Sequence, residues 1–195
     1  MDEAWRKIAF DHDAFLRALS AEDDAQGHNY IRSVWKPPPQ GSIKLNTDGS
    51  WKQGSNQVGG GGLFRGPDGV WVRGFVSLDT GDNAFLAEVR ALRDGLHIAW
   101  AQGYKDIIVE MDCKEVLKEL TNTASHSFCP MLGEIASLLR QQWKVHVQWI
   151  PRDCNMAADC LAHIGGTASS SGLHILERPP VEVEPFILRD SFSCL

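Results

Sequence analysis

Four acidic residues sit in separate and distinctive contexts along this chain. They are Asp48 in Leu45-Asn46-Thr47-Asp48-Gly49-Ser50, Glu88 in Ala87-Glu88-Val89-Arg90-Ala91-Leu92, Asp112 in Val109-Glu110-Met111-Asp112, and Asp159 in Asn155-Met156-Ala157-Ala158-Asp159. Three of them interrupt apolar segments suited to a core. Taking a carboxylate out of water is costly unless something positive compensates it. Divalent metal ions are the compensation that this pattern suggests.

The pattern around the acids predicts an α/β domain. Ala4, Ile8, Phe15 and Leu19 are spaced for one face of a helix over residues 2–20. Trp35-Lys36-Pro37-Pro38-Pro39-Gln40-Gly41 follows as a stiff, extended linker. The chain therefore divides into an N-terminal helical segment and proline-rich linker (1–41), a compact domain (42–166) and an extended C-terminal tail (167–195). In the domain, Ile43, Leu45 and Thr47 alternate with Lys44, Asn46 and Asp48 as a first strand. Strands over 58–65 and 70–78, joined by Gly66-Pro67-Asp68-Gly69, complete an antiparallel meander. The glycine run Gly59 to Gly62 lacks a phosphate-loop pattern, so it marks close backbone approach within a sheet. A helix over 84–102, with Asp82 or Asn83 as its N-cap, precedes a buried parallel strand at 107–111. Helices at 114–120 and 130–139, a fifth strand at 143–150 and a last helix from Met156, ended by Gly165-Gly166, close the domain. The predicted architecture is a five-stranded mixed sheet with helices on its faces.

Helical geometry makes Glu88 the strongest of the four acids. At 100° per residue, Ala84, Phe85, Ala91, Leu92, Gly95, Leu96 and Ala99 fall within about 80° of it. Arg90, Arg93, Asp94 and His97 lie opposite, and no core-facing cation is evident in the strands it would meet. The other three have plainer readings when taken singly. Asp48 also reads as a turn aspartate, Asp112 as the N-cap of the next helix, and Asp159 as an acid favoured by a helix dipole. Jointly, acids near two strand ends and on two helices can converge although far apart in sequence. An oxygen-rich cluster of this kind suits Mg²⁺ or Mn²⁺, and two such ions can promote in-line displacement at phosphorus.

Charge and cysteine content narrow the setting. The net charge of −6 supplies no general field for polyanions, which argues against a tight non-specific nucleic-acid binder. Five cysteines without a C-x-x-C pair read as free thiols in a reducing compartment, and Cys154, Cys160 and His163 lack zinc-ligand spacing. Without an apolar leader or span, the expectation is a soluble intracellular protein of nucleus or cytoplasm.

Several motifs together carry a family resemblance. Lys44-Leu45-Asn46-Thr47-Asp48-Gly49-Ser50, Ala87-Glu88 with Leu92 and Gly95-Leu96, Glu110-Met111-Asp112, and Pro151-Arg152-Asp153 with Asn155, Asp159 and Leu161-Ala162 occur in that order. Over about residues 35–166 the chain resembles the ribonuclease H-like domain of plant non-LTR retroelements and their domesticated relatives. The resemblance implies a monomeric two-metal endonuclease that cuts the RNA strand of an RNA–DNA hybrid. It implies Asp48, Glu88, Asp112 and Asp159 as catalytic ligands of two Mg²⁺ (or Mn²⁺) ions, with Asp48 bridging them. Gly49 and Ser50 would lie beside the scissile phosphate, Asn83 and Asn155 would contact nucleic acid, and the RNA strand would be read through its 2′-hydroxyls.

The sequence departs from that family at definite places. Active ribonucleases H carry a mobile histidine ahead of the last acid, where this chain has Trp149. Ala84 and Phe85 replace part of an asparagine pair, and the segment between Asp112 and Asp159 lacks a Lys- and Trp-rich handle. Hybrid affinity is accordingly expected to be weak and steeply salt-dependent. The competing expectation is a catalytically weak or inactive nucleic-acid-binding module of the same fold.

Overall fold

The computed structural model describes residues 34–121 and 129–192; the helix expected over residues 2–20 lies outside the described residues. The meander forms as its turn residues dictate. β1 (Ile43–Trp51), β2 (Gln57–Arg65) and β3 (Trp71–Thr80) pair antiparallel in sequence order. The β2–β3 turn closes through Gly69 at φ 74°, a conformation that costs glycine little. α1 (Ala84–Ala101) begins where the Asn83 side chain accepts the Leu86 N–H at 2.9 Å.

Beyond α1 come β4 (Asp106–Met111), α2 (Lys114–Thr121), α3 (Pro130–Leu139), β5 (Lys144–Trp149), α4 (Met156–Gly166), β6 (Gly172–Leu176) and α5 (Glu184–Phe192). The sheet order is β5-β4-β1-β2-β3-β6, with β4 parallel to both β1 and β5. On one face, Leu45, Phe64, Phe75 and Val109 pack with Leu92 and Leu96 of α1 and with Leu132 and Ile135 of α3. α3 also packs against α1, and Asp94, expected opposite Glu88 on that helix, is buried and pairs with Arg93.

The opposite face explains the glycine run. A Cβ at Gly61 would stand 2.2 Å from the Ala162 nitrogen, and one at Gly59 2.3 Å from that of Gly166. The close approach is therefore that of α4 onto β2, helix backbone against strand backbone. The helix ends at Gly166, as the glycine pair led one to expect, and the pair also permits close contact, since a Cβ at Gly165 would meet the Gly60 carbonyl oxygen at 2.6 Å.

The sheet has six strands, one more than expected, and the residues expected as an extended tail contain β6 and α5. β6 is exposed along nearly its whole length, so it carries no amphipathic pattern. Pairing with the edge of β3, from Gly74↔Leu176 to Leu78↔Gly172, makes it a strand. Val183, Phe186 and Ile187 then join Leu63, Val76 and Leu161 in a second apolar cluster.

Candidate metal centre

Three of the four acids converge. Asp48 lies on β1, Glu88 on α1, and Asp112 directly after β4, which pairs parallel with β1. A Cβ at Gly49 would lie 2.3 Å from the Glu88 nitrogen, so helix and strand touch backbone to backbone beside Asp48. The Gly49 N–H in turn donates to the Glu88 carboxylate. One oxygen from each of Asp48, Glu88 and Asp112 lies within 4.8 Å of the others.

Their electrostatics follow from burial and mutual repulsion. Burial, then the charges of Glu88 and Asp112, pushes Asp48 up from 3.8 to about 10. Burial, then the Asp112 charge, raises Glu88 from 4.5 to about 8, against the Gly49 N–H and the Arg152 charge. The Glu88 Oε2 is buried and meets no donor among the described residues. A divalent cation fits this donor set: it is all oxygen, crowded with negative charge, and holds a carboxylate oxygen with no other partner.

Asp159, on the first turn of α4, stands outside the tight trio. It pairs with Arg152 and acts on Asp48 and Glu88 through its charge. Gly49 and Ser50 continue β1 past Asp48, and Ser50 lines an open groove with Lys52, Gln57, His163 and Thr167. Asn83 is occupied as the cap of α1 and donates to Asp82 at 2.8 Å. Asn155 faces inward and is 1% exposed. It donates to the Thr47 carbonyl and to Asp112 Oδ1, each at 2.9 Å.

Trp149 pairs with Met111 in the sheet, and its Nε1 donates to the Asp112 carbonyl at 3.1 Å. Lys114 Nζ stands 4.7 Å from the centre of its ring. The residue at the histidine position is thus tied into the frame of the site. Two cations absent from the sequence expectation also emerge: Lys44 and Arg65 are buried on the α4 face of the sheet. Only the strand alternation that places Asn46 and Lys44 opposite Leu45 signalled that face.

The family described as reverse transcriptase-like matches residues 46–165. A curated Arabidopsis thaliana protein named "Putative ribonuclease H protein" is 28% identical over 162 residues, covering 82% of this chain and 26% of its own length. The chain thus spans about a quarter of that relative. The crystal structure of ribonuclease H1 from Halobacterium salinarum superposes with a TM-score of 0.56 at 23% identity, covering 64% of this chain and 96% of that one. LC11-RNase H1, crystallised in complex with RNA/DNA hybrid, gives 0.58 at 18% identity, with 64% and 96% covered. These likenesses establish a ribonuclease H fold.

Proposed function

The chain belongs to the reverse transcriptase-like family, and from that premise we propose that it is a metal-dependent endonuclease cleaving the RNA strand of RNA–DNA hybrids. The observation that carries this reading is the trio Asp48, Glu88 and Asp112, with oxygens within 4.8 Å and a buried Glu88 oxygen that meets no donor among the described residues. These carboxylates, joined by Asp159, would hold two Mg²⁺ or Mn²⁺ ions. Such ions, when bound, activate water and stabilise the leaving oxygen in phosphodiester hydrolysis. Gly49 and Ser50 would border the scissile phosphate, and the groove holding exposed Lys52 and His163 would take up nucleic-acid backbone. Arg152 neutralises Asp159 and would yield that carboxylate when metal enters.

The test is cleavage of a labelled RNA–DNA hybrid by purified protein with Mg²⁺ or Mn²⁺, beside Asp48→Asn. Wild type should cut and the variant should not. An intact hybrid with wild type, or equal cutting by both, defeats the reading. A second reading is favoured by Trp149, whose indole is fixed to the Asp112 carbonyl where a mobile histidine would move. On that reading the domain binds hybrid in a metal-dependent way without scission, seen as a gel shift with no product.

A further inference from the structure

A chain of buried side chains runs beneath the acids and ends on one of them. Trp35, 2% exposed, shares its Nε1 hydrogen between Glu110 Oε2 at 2.9 Å and Asn46 Oδ1 at 3.1 Å, and Arg65 donates to the same Asn46 oxygen at 2.9 Å. Asn46 Nδ2 donates to Glu110 Oε2 at 3.0 Å and to Asn155 Oδ1 at 3.3 Å. Asn155 Nδ2 then spends its two hydrogens on the Thr47 carbonyl and on Asp112 Oδ1, each at 2.9 Å.

The direction of this chain is fixed chemically. Guanidinium and indole are donors only, so whichever atom of Asn46 faces Arg65 and Trp35 must be its oxygen. Its amide nitrogen must then face Asn155, which must offer its oxygen in return. The Asn155 nitrogen is left pointing at Asp112 and at the backbone just ahead of Asp48. We propose that Asn155 is a positioning residue for the metal centre, its amide direction imposed through Asn46 by Arg65 and Trp35. One amide thereby locks the β1 backbone beside Asp48 to one oxygen of Asp112 and fixes the spacing of two of the three acids. A buried hydrogen-bonded network can hold one geometry where an apolar filling could not orient a carboxylate. The proposal rests on the reading of Asp112 as a metal ligand.

The experiment is calorimetric titration of Mn²⁺ into wild type, Asn155→Ala and Asn155→Ser, with a thermal melt of each. Leu132→Ala, a buried truncation in α3, serves as a control for lost stability. Loss of a partner behind a ligand weakens metal binding about 10- to 100-fold, and that loss is expected for both Asn155 variants while their melts stay cooperative. Leu132→Ala should melt lower and bind Mn²⁺ as wild type does. If Asn155→Ala does not fold, Asn155→Ser decides. Wild-type affinity in folded Asn155 variants overturns the positioning role and leaves the metal centre standing. No Mn²⁺ binding by wild type overturns both.

Discussion

At the scale of single residues, Asp48 carries the largest electrostatic strain, with its carboxyl pushed up to about 10 and that of Glu88 to about 8. Both lie above the values of about 4 expected in an unfolded chain. The folded, metal-free protein therefore binds more protons than the unfolded chain, and its stability falls as pH rises from near 4 through those folded values. Melts in chelator should show Tm dropping between about pH 5 and about pH 8, and saturating Mn²⁺ should flatten the slope. A metal-free Tm that climbs over this window would contradict the strained carboxylates. Asp48→Asn removes the group without changing its shape. At pH 8 in chelator it should stabilise the fold by on the order of 1–3 kcal/mol, with about 2–4 °C in Tm for each kcal/mol, and should abolish the response to Mn²⁺. Glu88 was readable in this way from helical angles alone, because its apolar neighbours surround it. Asp159 was not: its partner Arg152 stands in the same motif, yet only the fold shows their carboxylate–guanidinium pair set apart from the trio.

At the scale of elements, helix placement depends on where a side chain is missing. α4 presses onto β2 at Gly61, where a Cβ would sit 2.2 Å from the Ala162 nitrogen; a Cβ at Gly133 of α3 would meet nothing within 4 Å among the described residues. Gly61→Ala must push the helix that bears Asp159, and Asn155 at its cap, off the sheet. Overpacking of this kind costs about 1–3 kcal/mol, and backbone cannot swing aside as a side-chain tip can, so the upper end is expected. Gly133→Ala fills open space within a helix and should stabilise by about 0.5–1 kcal/mol. Urea midpoints for the two variants should move in opposite directions, with Mn²⁺ affinity lost only in Gly61→Ala; a shift in the same direction would refute the contrast. The elements that announced themselves had a period to show: α1 by its apolar face, β4 by its continuous apolar run, the meander by its turns. β6 did not, because an edge strand exposed on both faces has no alternation to read and takes its state from β3. Gly165-Gly166 marked the end of α4 correctly, but local propensity carries no trace of the strand carbonyls they approach.

At the scale of the whole molecule, three distant segments meet around one cation. Arg65 on β2, 1% exposed, pairs with Asp190 of α5 at 2.7 Å and lies 3.3 Å from the ring centre of Trp35. Lys44, also buried, pairs with Glu110 at 2.7 Å and donates to the Lys36 carbonyl at 2.6 Å. None of this was legible in the sequence. An arginine at a strand end reads as solvated, a tryptophan before three prolines reads as linker, and an aspartate near the chain's end reads as tail. The partners lie too far apart along the chain for local pattern to join them. A chain cut to residues 42–166, the domain marked out by strand and helix periodicity, would lack both Trp35 and Asp190. The cut removes the Arg65–Asp190 pair, the buried Trp35 ring on the guanidinium, and Val183, Phe186 and Ile187 from the second apolar cluster, at about 1.5–3 kcal/mol for each fully buried apolar side chain. Against a total stability of about 5–15 kcal/mol, that is enough to abolish the native state. A chain of residues 34–192 should give a cooperative melt and resist limited proteolysis, whereas 42–166 should melt without cooperativity, be cleaved rapidly and bind no Mn²⁺. A shortened chain that melts cooperatively and keeps the Mn²⁺ affinity of the longer one would show that the flanks are accessory, and that the acids are held by the inner sheet and helices alone.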